Sequence, residues 1–235
     1  MTSGNERFAG FPNHIAIIMD GNRRWAEKHG LSILEGHQAG ARSLRKVVEC
    51  FGNYRLPYLT VYCFSTENWN RSQNEVQELL TLLQEVLLDE TEELHKHGIK
   101  IRHLGNMQNL PVKAREVITQ ATELTKNNKN MELSFAFNYG GRAEIIRAIS
   151  SIVSSSIAPS DIDEKLVDSY LYTRGLPDVD LLIRTGGETR ISNFLIWQTI
   201  YSEIYFTDTL WPDFDSAEID KALLFYNQKQ RRFGS

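Results

Sequence analysis

Apolar residues along this 235-residue chain switch repeatedly between short unbroken runs and runs spread over helical turns. Residues 14–19 form an apolar run that ends at Asp20-Gly21, the pattern of a buried strand entering a turn. Ala41, Leu44, Val48 and Phe51 then recur at helical spacing. Residues 56–64 (LPYLTVYCF) are rich in β-branched and aromatic side chains and read as a strand. Ser72, with Glu75 three residues on, makes a capping box before a long helix. Its apolar face carries Val76, Leu79, Leu80, Leu83 and Leu87, which suits either core packing or the wall of an apolar tunnel. The pattern next predicts a strand over 99–104 and a helix from Pro111 to about residue 126. An alternating strand over 131–137 precedes helices over 142–153 and 160–172. Strands over 179–183 and 203–206 follow. A last helix opens at Asp215 and Glu218, with Ile219, Leu223 and Tyr226 on one face.

Strands separated by helices imply βαβ crossovers. The predicted fold is a single α/β domain, a mainly parallel central sheet flanked by helices. No linker or internal repeat interrupts it, so residues 1–13 are taken as an N-terminal segment and 14–235 as the domain. In such sheets ligands bind at the carboxyl ends of the strands, where the chemistry is expected.

Composition narrows the function classes. An apolar share of 41% and a charged share of 24% describe a globular chain with a real core. A net charge of −4 argues against a nucleic-acid coat. The cations are unevenly chosen: 16 of the 26 are Arg, the side chain suited to gripping phosphate or carboxylate with two donors. Cys50 and Cys63 have no metal-site spacing and sit in apolar stretches, so buried free thiols and a reducing compartment are expected. Unbroken apolar stretches reach only about five residues, too short for a transmembrane helix. The first 13 residues lack the regions of a secretory leader.

Three predicted strand ends carry Arg and Gly together, and a fourth carries Arg in a dense polar loop. Asp20-Gly21-Asn22-Arg23-Arg24-Trp25 turns a strand into a helix through glycine, presenting backbone N–H groups and the positive helix end to an anion. Two arginines oppose the helix dipole there, which makes sense if an anion binds. Asp20 beside a phosphate is a natural Mg²⁺ ligand, or else simply the Asp of a turn. Ser65-Thr66-Glu67-Asn68-Trp69-Asn70-Arg71 packs hydroxyls, a carboxylate, amides, an indole and a guanidinium into one loop. Arg184, Gly186, Gly187, Arg190 and Ser192 read as a second anion site, and Asn138-Tyr139-Gly140-Gly141-Arg142 repeats the same grammar. Neither GxxxxGK[ST] nor GxGxxG is present, so no nucleotide signature accompanies these loops.

HIAIIMDGNRRW (14–25), GHQAG (36–40), FSTENWNR (64–71), NYGGR (138–142) and DLLIRTGGE (180–188) together resemble the five signature regions of the cis-prenyltransferases. These are the (Z)-isoprenyl diphosphate synthases typified by undecaprenyl diphosphate synthase. The DDxxD signature of the unrelated all-α trans-prenyltransferases is missing. The resemblance implies an elongated hydrophobic cleft, a homodimer, and Mg²⁺-dependent condensation of isopentenyl diphosphate with an allylic diphosphate such as dimethylallyl diphosphate. It implies that Asp20 and Glu203 serve the metal. Gly21, Asn22, Arg23, Arg24 and Trp25 would cradle the allylic diphosphate, with His37 and Arg71 nearby. Arg184, Arg190 and Ser192 would bind the second diphosphate. Ser65, Glu67, Asn68, Phe64 and Trp69 would position the reacting atoms, and Arg232 and Gly234 would complete the partner subunit's site.

Two positions depart from the pattern of bacterial long-chain members: Ile33 replaces an Arg, and Thr189 replaces a His before Arg190. The long helix also lacks an insertion typical of very-long-chain eukaryotic enzymes. The expectation is therefore a plant-like short-chain enzyme making a C10–C15 product, in a plastid if a transit peptide has been removed and otherwise in the cytoplasm. Alternatives are head-to-middle joining of two dimethylallyl diphosphates, as in lavandulyl diphosphate synthase, or a medium- to long-chain product. A non-catalytic partner subunit is a further alternative, but such relatives lose the metal Asp and first Arg loop that Asp20 and Arg24 represent here. A nucleotide-binding α/β protein is the last.

Overall fold

Ile15 and Ile17 face one side of the sheet and Ala16 and Ile18 the other, and all four are buried. A strand buried on both faces must lie inside a sheet covered twice. The computed structural model describes residues 10–229 and places this strand, β1 (His14–Ile18), between two neighbours. The other strands are β2 (Tyr58–Ser65), β3 (Ile99–Leu104), β4 (Met131–Tyr139), β5 (Leu181–Arg184) and β6 (Glu203–Phe206). Their order is β3-β4-β2-β1-β5-β6, with every pairing parallel.

The helices are α1 (Asn22–His29), α2 (Ile33–Asn53), α3 (Gln73–Lys96), α4 (Val112–Thr125), α5 (Gly141–Ser154), α6 (Glu164–Tyr170) and α7 (Ser216–Asn227). The expected single α/β domain is what forms. The larger core joins one sheet face to Val47, Val48 and Phe51 of α2, Leu80 and Leu87 of α3, and Ile118 of α4. The smaller core packs the other face on Tyr139, Phe194 and Leu195.

Some boundaries differ from expectation for local reasons. The helix expected over 160–172 shrinks to α6 because Asp163 caps it, accepting the Leu166 N–H at 2.8 Å. β4 is expected to alternate, but its interior is buried on both faces, Leu133, Phe135 and Phe137 entering the larger core and Ala136 and Tyr139 the smaller. Cys50 and Cys63 are free and half-buried. Among the described residues no helix is long and apolar enough to cross a membrane.

Two features position the site. The chain builds β2 on one side of β1 and later β5 on the other, so connections diverge at the carboxyl end of β1 and open a crevice. Beside it, α2 and α3 stand off the sheet around a cavity of about 930 Å³. Cys63 lies towards one end of this chamber, and Ile99 and Met131, the first residues of β3 and β4, towards the other. That is about 20 Å along the strands. Leu83, Leu87 and Leu94 of α3 line it, so the Leu-rich helix both packs the core and walls the chamber. Burial pushes the Cys63 thiol up to about 12, leaving an apolar wall rather than a nucleophile.

Candidate active site

The loop after β1 is built around its glycine. Gly21 sits at φ +113°, and a Cβ there would lie 2.9 Å from Leu210. The turn aims Asp20 across to the end of β5, because Ile18 pairs with Arg184. Arg184 Nη2 donates to Asp20 Oδ2 at 2.8 Å, and Arg24 Nη2 donates to Asp20 Oδ1 at 3.2 Å. Arg184 is only 4% exposed, whereas the Asp20 carboxylate remains 30% exposed. A half-open carboxylate gripped by two guanidiniums leaves lone pairs and positive charge facing the crevice.

The backbone beneath is held firmly. The Thr185 hydroxyl donates to the Asp20 carbonyl at 2.7 Å, and the Trp211 N–H reaches the same oxygen at 3.0 Å. Arg24 Nη1 donates to the Gly186 carbonyl at 2.6 Å. A side chain at position 186 would meet Arg24 Nη2 at 2.7 Å, so the loop after β5 can approach only as glycine. Gly36 and Gly40 likewise let α2 pass directly against Asn22. No side chain caps α1, leaving its amino end available to an anion.

His37 projects from α2 to the same place. Its Nδ1 lies 3.4 Å from Asn22 Nδ2. Burial, reinforced by the Arg71 guanidinium, lowers its pKa to about 4, so the ring is neutral at physiological pH. Three buried polar atoms around this crevice have no protein partner: Asn22 Oδ1, His37 Nε2 and Arg184 Nε. Orphaned polar atoms converging on a crevice suit an anion or hydrated cation.

The loop after β2 closes the opposite side. Asn68 Oδ1 accepts the Ser65 N–H at 2.9 Å, tightening a 3₁₀ turn over Thr66–Asn70. Trp69 packs edge-on against Phe64, and its indole N–H donates to Asn138 Oδ1 at 2.7 Å. Burial pushes the Glu67 carboxyl up, but hydrogen bonds from Asn193, its own N–H, Ser65 and Thr66 outweigh this. They hold it below the ordinary carboxylate value.

Several expectations need correction. Glu203 pairs with Leu181, at the amino end of β5, whereas Asp20 follows the carboxyl end of β1. One chain therefore does not bring Glu203 to Asp20, because a parallel sheet separates the two ends of its strands. The NYGGR loop is not a fourth anion cradle: Asn138 and the two glycines are packed against neighbouring loops. Phe64 is 1% exposed and stacks on Phe137 in the core. Among the described residues Arg24 and Arg184 converge on Asp20, while Arg23 pairs with Glu27, Arg71 with Glu75 and Arg190 with Glu188. Trp25 donates to Asp213 at 2.7 Å and stacks on His29. Ser192 accepts from Arg184 Nη1 at 2.7 Å. Arg232 and Gly234 lie outside the described residues. Sequence reasoning passed over Thr185 and Asn193, although each adjoins a residue it had chosen.

Burial lowers the pKa of three histidines, His14, His37 and His103, and these carry a pH dependence. His37 and His103 both sit at about 4 against an ordinary 6.5, chiefly through burial. Unfolded chain takes up these protons near 6.5 and folded chain only near 4, so acid favours unfolding across that window. Each ring contributes on the order of 3 kcal/mol that is present above the window and lost below it. Thermal midpoints should fall steadily from pH 6.5 to 4; a flat profile would count against buried neutral rings.

A parallel sheet with an arginine-clasped carboxylate at its switch point, beside a long apolar chamber, defines an α/β protein built for an anionic head and an apolar tail. Residues 18–234 match the family model described as "Putative undecaprenyl diphosphate synthase". An isoprenyl transferase of Fusobacterium nucleatum is 51% identical over 223 residues, covering 95% of this chain and 96% of that protein. The lavandulyl diphosphate synthase of Lavandula x intermedia, solved with dimethylallyl diphosphate, has a TM-score of 0.92 and 37% identity, covering 95% of this chain and 98% of that one. A probable undecaprenyl diphosphate synthase of Campylobacter jejuni has a TM-score of 0.82 and 31% identity, covering 96% and 100%. The chain belongs to the undecaprenyl diphosphate synthase-like, or cis-prenyltransferase, family and is a prenyl-transferring enzyme.

Proposed function

We propose that the protein condenses isopentenyl diphosphate with an allylic diphosphate, releasing diphosphate, and extends the product along its apolar chamber. The observation that carries this is Asp20, held between Arg24 and Arg184 at the mouth of the crevice. Allylic C–O cleavage sends the bonding pair to the departing diphosphate, where negative charge grows. Arg24 and the amino end of α1 stabilise that charge without having to reorganise. The isopentenyl double bond then attacks the allylic carbon, a C–C bond forms and a proton leaves. Arg184 and Ser192 hold the second diphosphate. Glu67, kept ionised by its hydrogen bonds, stands beside Asn68 to assist the proton's departure. An apolar chamber keeps water from the cation.

Asp20 and the orphaned Asn22 Oδ1 fit Mg²⁺, which needs only one or two carboxylates beside phosphate oxygens and waters, whereas the orphaned Arg184 Nε–H is a donor suited to a phosphate oxygen. Bound Mg²⁺ would offset charge on the leaving diphosphate. Among the described residues no three His, Cys, Asp or Glu side chains form a cage of their own. Ile146, Ile149 and Val153 form an exposed apolar stripe on α5, and we read it as the face of a homodimer.

Chamber volume supports one reading of product length. At roughly 30 Å³ per water-sized group, a chamber of about 930 Å³ takes on the order of 30 such groups, more than a C10–C15 chain needs. A medium- to long-chain product therefore suits it better than the short one first expected. Curated bacterial relatives such as that of Fusobacterium nucleatum lend no support to a plastid setting. Head-to-middle joining keeps one supporting set of observations, Ile33 and Thr189 together with the likeness to lavandulyl diphosphate synthase. Mass spectrometry of products from isopentenyl and dimethylallyl diphosphates, separate and mixed, with Mg²⁺ or chelator, decides between these. The mixture should give Mg²⁺-dependent chains longer than C15. A C10 diphosphate from dimethylallyl diphosphate alone would favour head-to-middle joining, and no consumption at all would end the reading.

A further inference from the structure

The two loops that flank the crevice are joined by one side chain. Asn193 Nδ2 donates to Glu67 Oε1 at 2.8 Å, from the loop after β5 to the loop after β2. The same residue anchors the start of α5: its Oδ1 accepts the Arg142 N–H at 2.9 Å and its carbonyl accepts the Gly141 N–H at 2.7 Å. Ser192, immediately before it, accepts from buried Arg184. Ser192, Asn193 and Leu195 all have positive φ, at 47°, 63° and 46°. Left-handed backbone at three non-glycine residues is strained and persists only where surrounding contacts over-determine it.

Gly140 supplies the space for this join. Its φ of −158° is open to any residue, so conformation does not demand glycine there. A Cβ would instead meet Thr66 Oγ1 at 2.5 Å and Asn193 Nδ2 at 2.8 Å, from one loop and the other. The first loop has a second attachment, Trp69 to Asn138.

Resting on the functional reading above, we infer that Asn193 is a positioning residue: it fastens the Glu67-Asn68-Trp69 loop to the Arg184-Ser192 pocket, so isopentenyl diphosphate meets both at once. Neither residue need touch the reacting atoms through this bond. Its effect lies in the relative placement of the two loops.

Isopentenyl diphosphate alone, without an allylic primer, gives a binding readout independent of turnover. Asn193→Asp keeps the oxygen that accepts the Arg142 N–H but sets a carboxylate against Glu67. Its affinity for isopentenyl diphosphate should fall about tenfold, with the thermal midpoint within a few degrees of wild type. In the double variant Asn193→Asp/Glu67→Gln, the amide introduced at position 67 can donate to the carboxylate introduced at position 193. The bond is then restored in reverse, and affinity should recover to within about threefold of wild type. An Asn193→Asp variant that binds as wild type, or a double variant no tighter than Asn193→Asp, overturns the inference. If wild type binds isopentenyl diphosphate but yields no prenyl product, the functional reading fails while this binding cycle still decides the fastening. If wild type does not bind it, the inference falls with the reading.

Discussion

Asp20→Ala is expected to abolish turnover while leaving the fold intact. The carboxylate is the acceptor that sets both Arg24 and Arg184 around the crevice, and the only acidic group in the turn that follows β1. Without it the site loses its proposed Mg²⁺ ligand and the preorganisation of two cations, a loss of at least about 10³-fold by comparison with single preorganised groups elsewhere. The fold should survive because the Asp20 backbone, not its side chain, bonds to Thr185 and Trp211. Leaving Arg184 Nη2 without its acceptor costs about 1–3 kcal/mol. Steady-state consumption of isopentenyl diphosphate, with a thermal melt as control, checks this. A folded variant that retains Mg²⁺-dependent activity within tenfold of wild type would remove Asp20 from the mechanism.

Arg184 should show the other large effect, on binding and stability together. Its guanidinium is buried and divides its donors among Asp20, Ser192 and the Arg190 carbonyl. Arg184→Ala removes three hydrogen bonds and a buried side chain, while its former acceptors at Asp20, Arg190 and Ser192 can turn to water, for about 1–3 kcal/mol of stability. It also removes the buried cation proposed to hold the second diphosphate, so isopentenyl diphosphate affinity should drop about 100-fold. Arg184→Lys separates charge from shape. A lysine ammonium restores the charge but cannot present donors as a planar fork, so it should recover only part of either loss. Affinity and melting temperature equal to wild type in Arg184→Lys would mean that charge alone matters.

These expectations grew from a sequence that was unusually open to reading in some places and closed in others. The strand ends were legible because a strand buried on both faces must be an apolar run, and a turn into a helix shows its glycine. Asp20 and Arg184 stood out for that reason, as did the loop at Ser65. Caps were half legible: Ser72 accepts the Glu75 N–H and Asp215 those of Ala217 and Glu218, but the reciprocal bond of a capping box is replaced by Arg71 at Glu75 and by Lys221 and Thr207 at Glu218. Glu203 was named from the resemblance alone, and as the first residue of a strand over 203–206 in a parallel sheet it already stood at the end away from Asp20. The NYGGR loop misled because glycines that admit a phosphate and glycines that admit a neighbouring loop look alike in one dimension. Gly140 is the second kind.

By itself, the order of apolar and polar residues determined the alternation of strands and helices, the parallel sheet, and the grouping of arginines at strand ends. Each of these depends on local periodicity or on nearby capping and turn chemistry. Tertiary structure alone decided which arginines meet Asp20, that Asn193 reaches Glu67 across 126 positions of chain, and how much space α2 and α3 leave above the sheet. Those outcomes depend on strand order and on close approaches between segments far apart in the chain, where distances of a few tenths of an ångström separate a hydrogen bond from none.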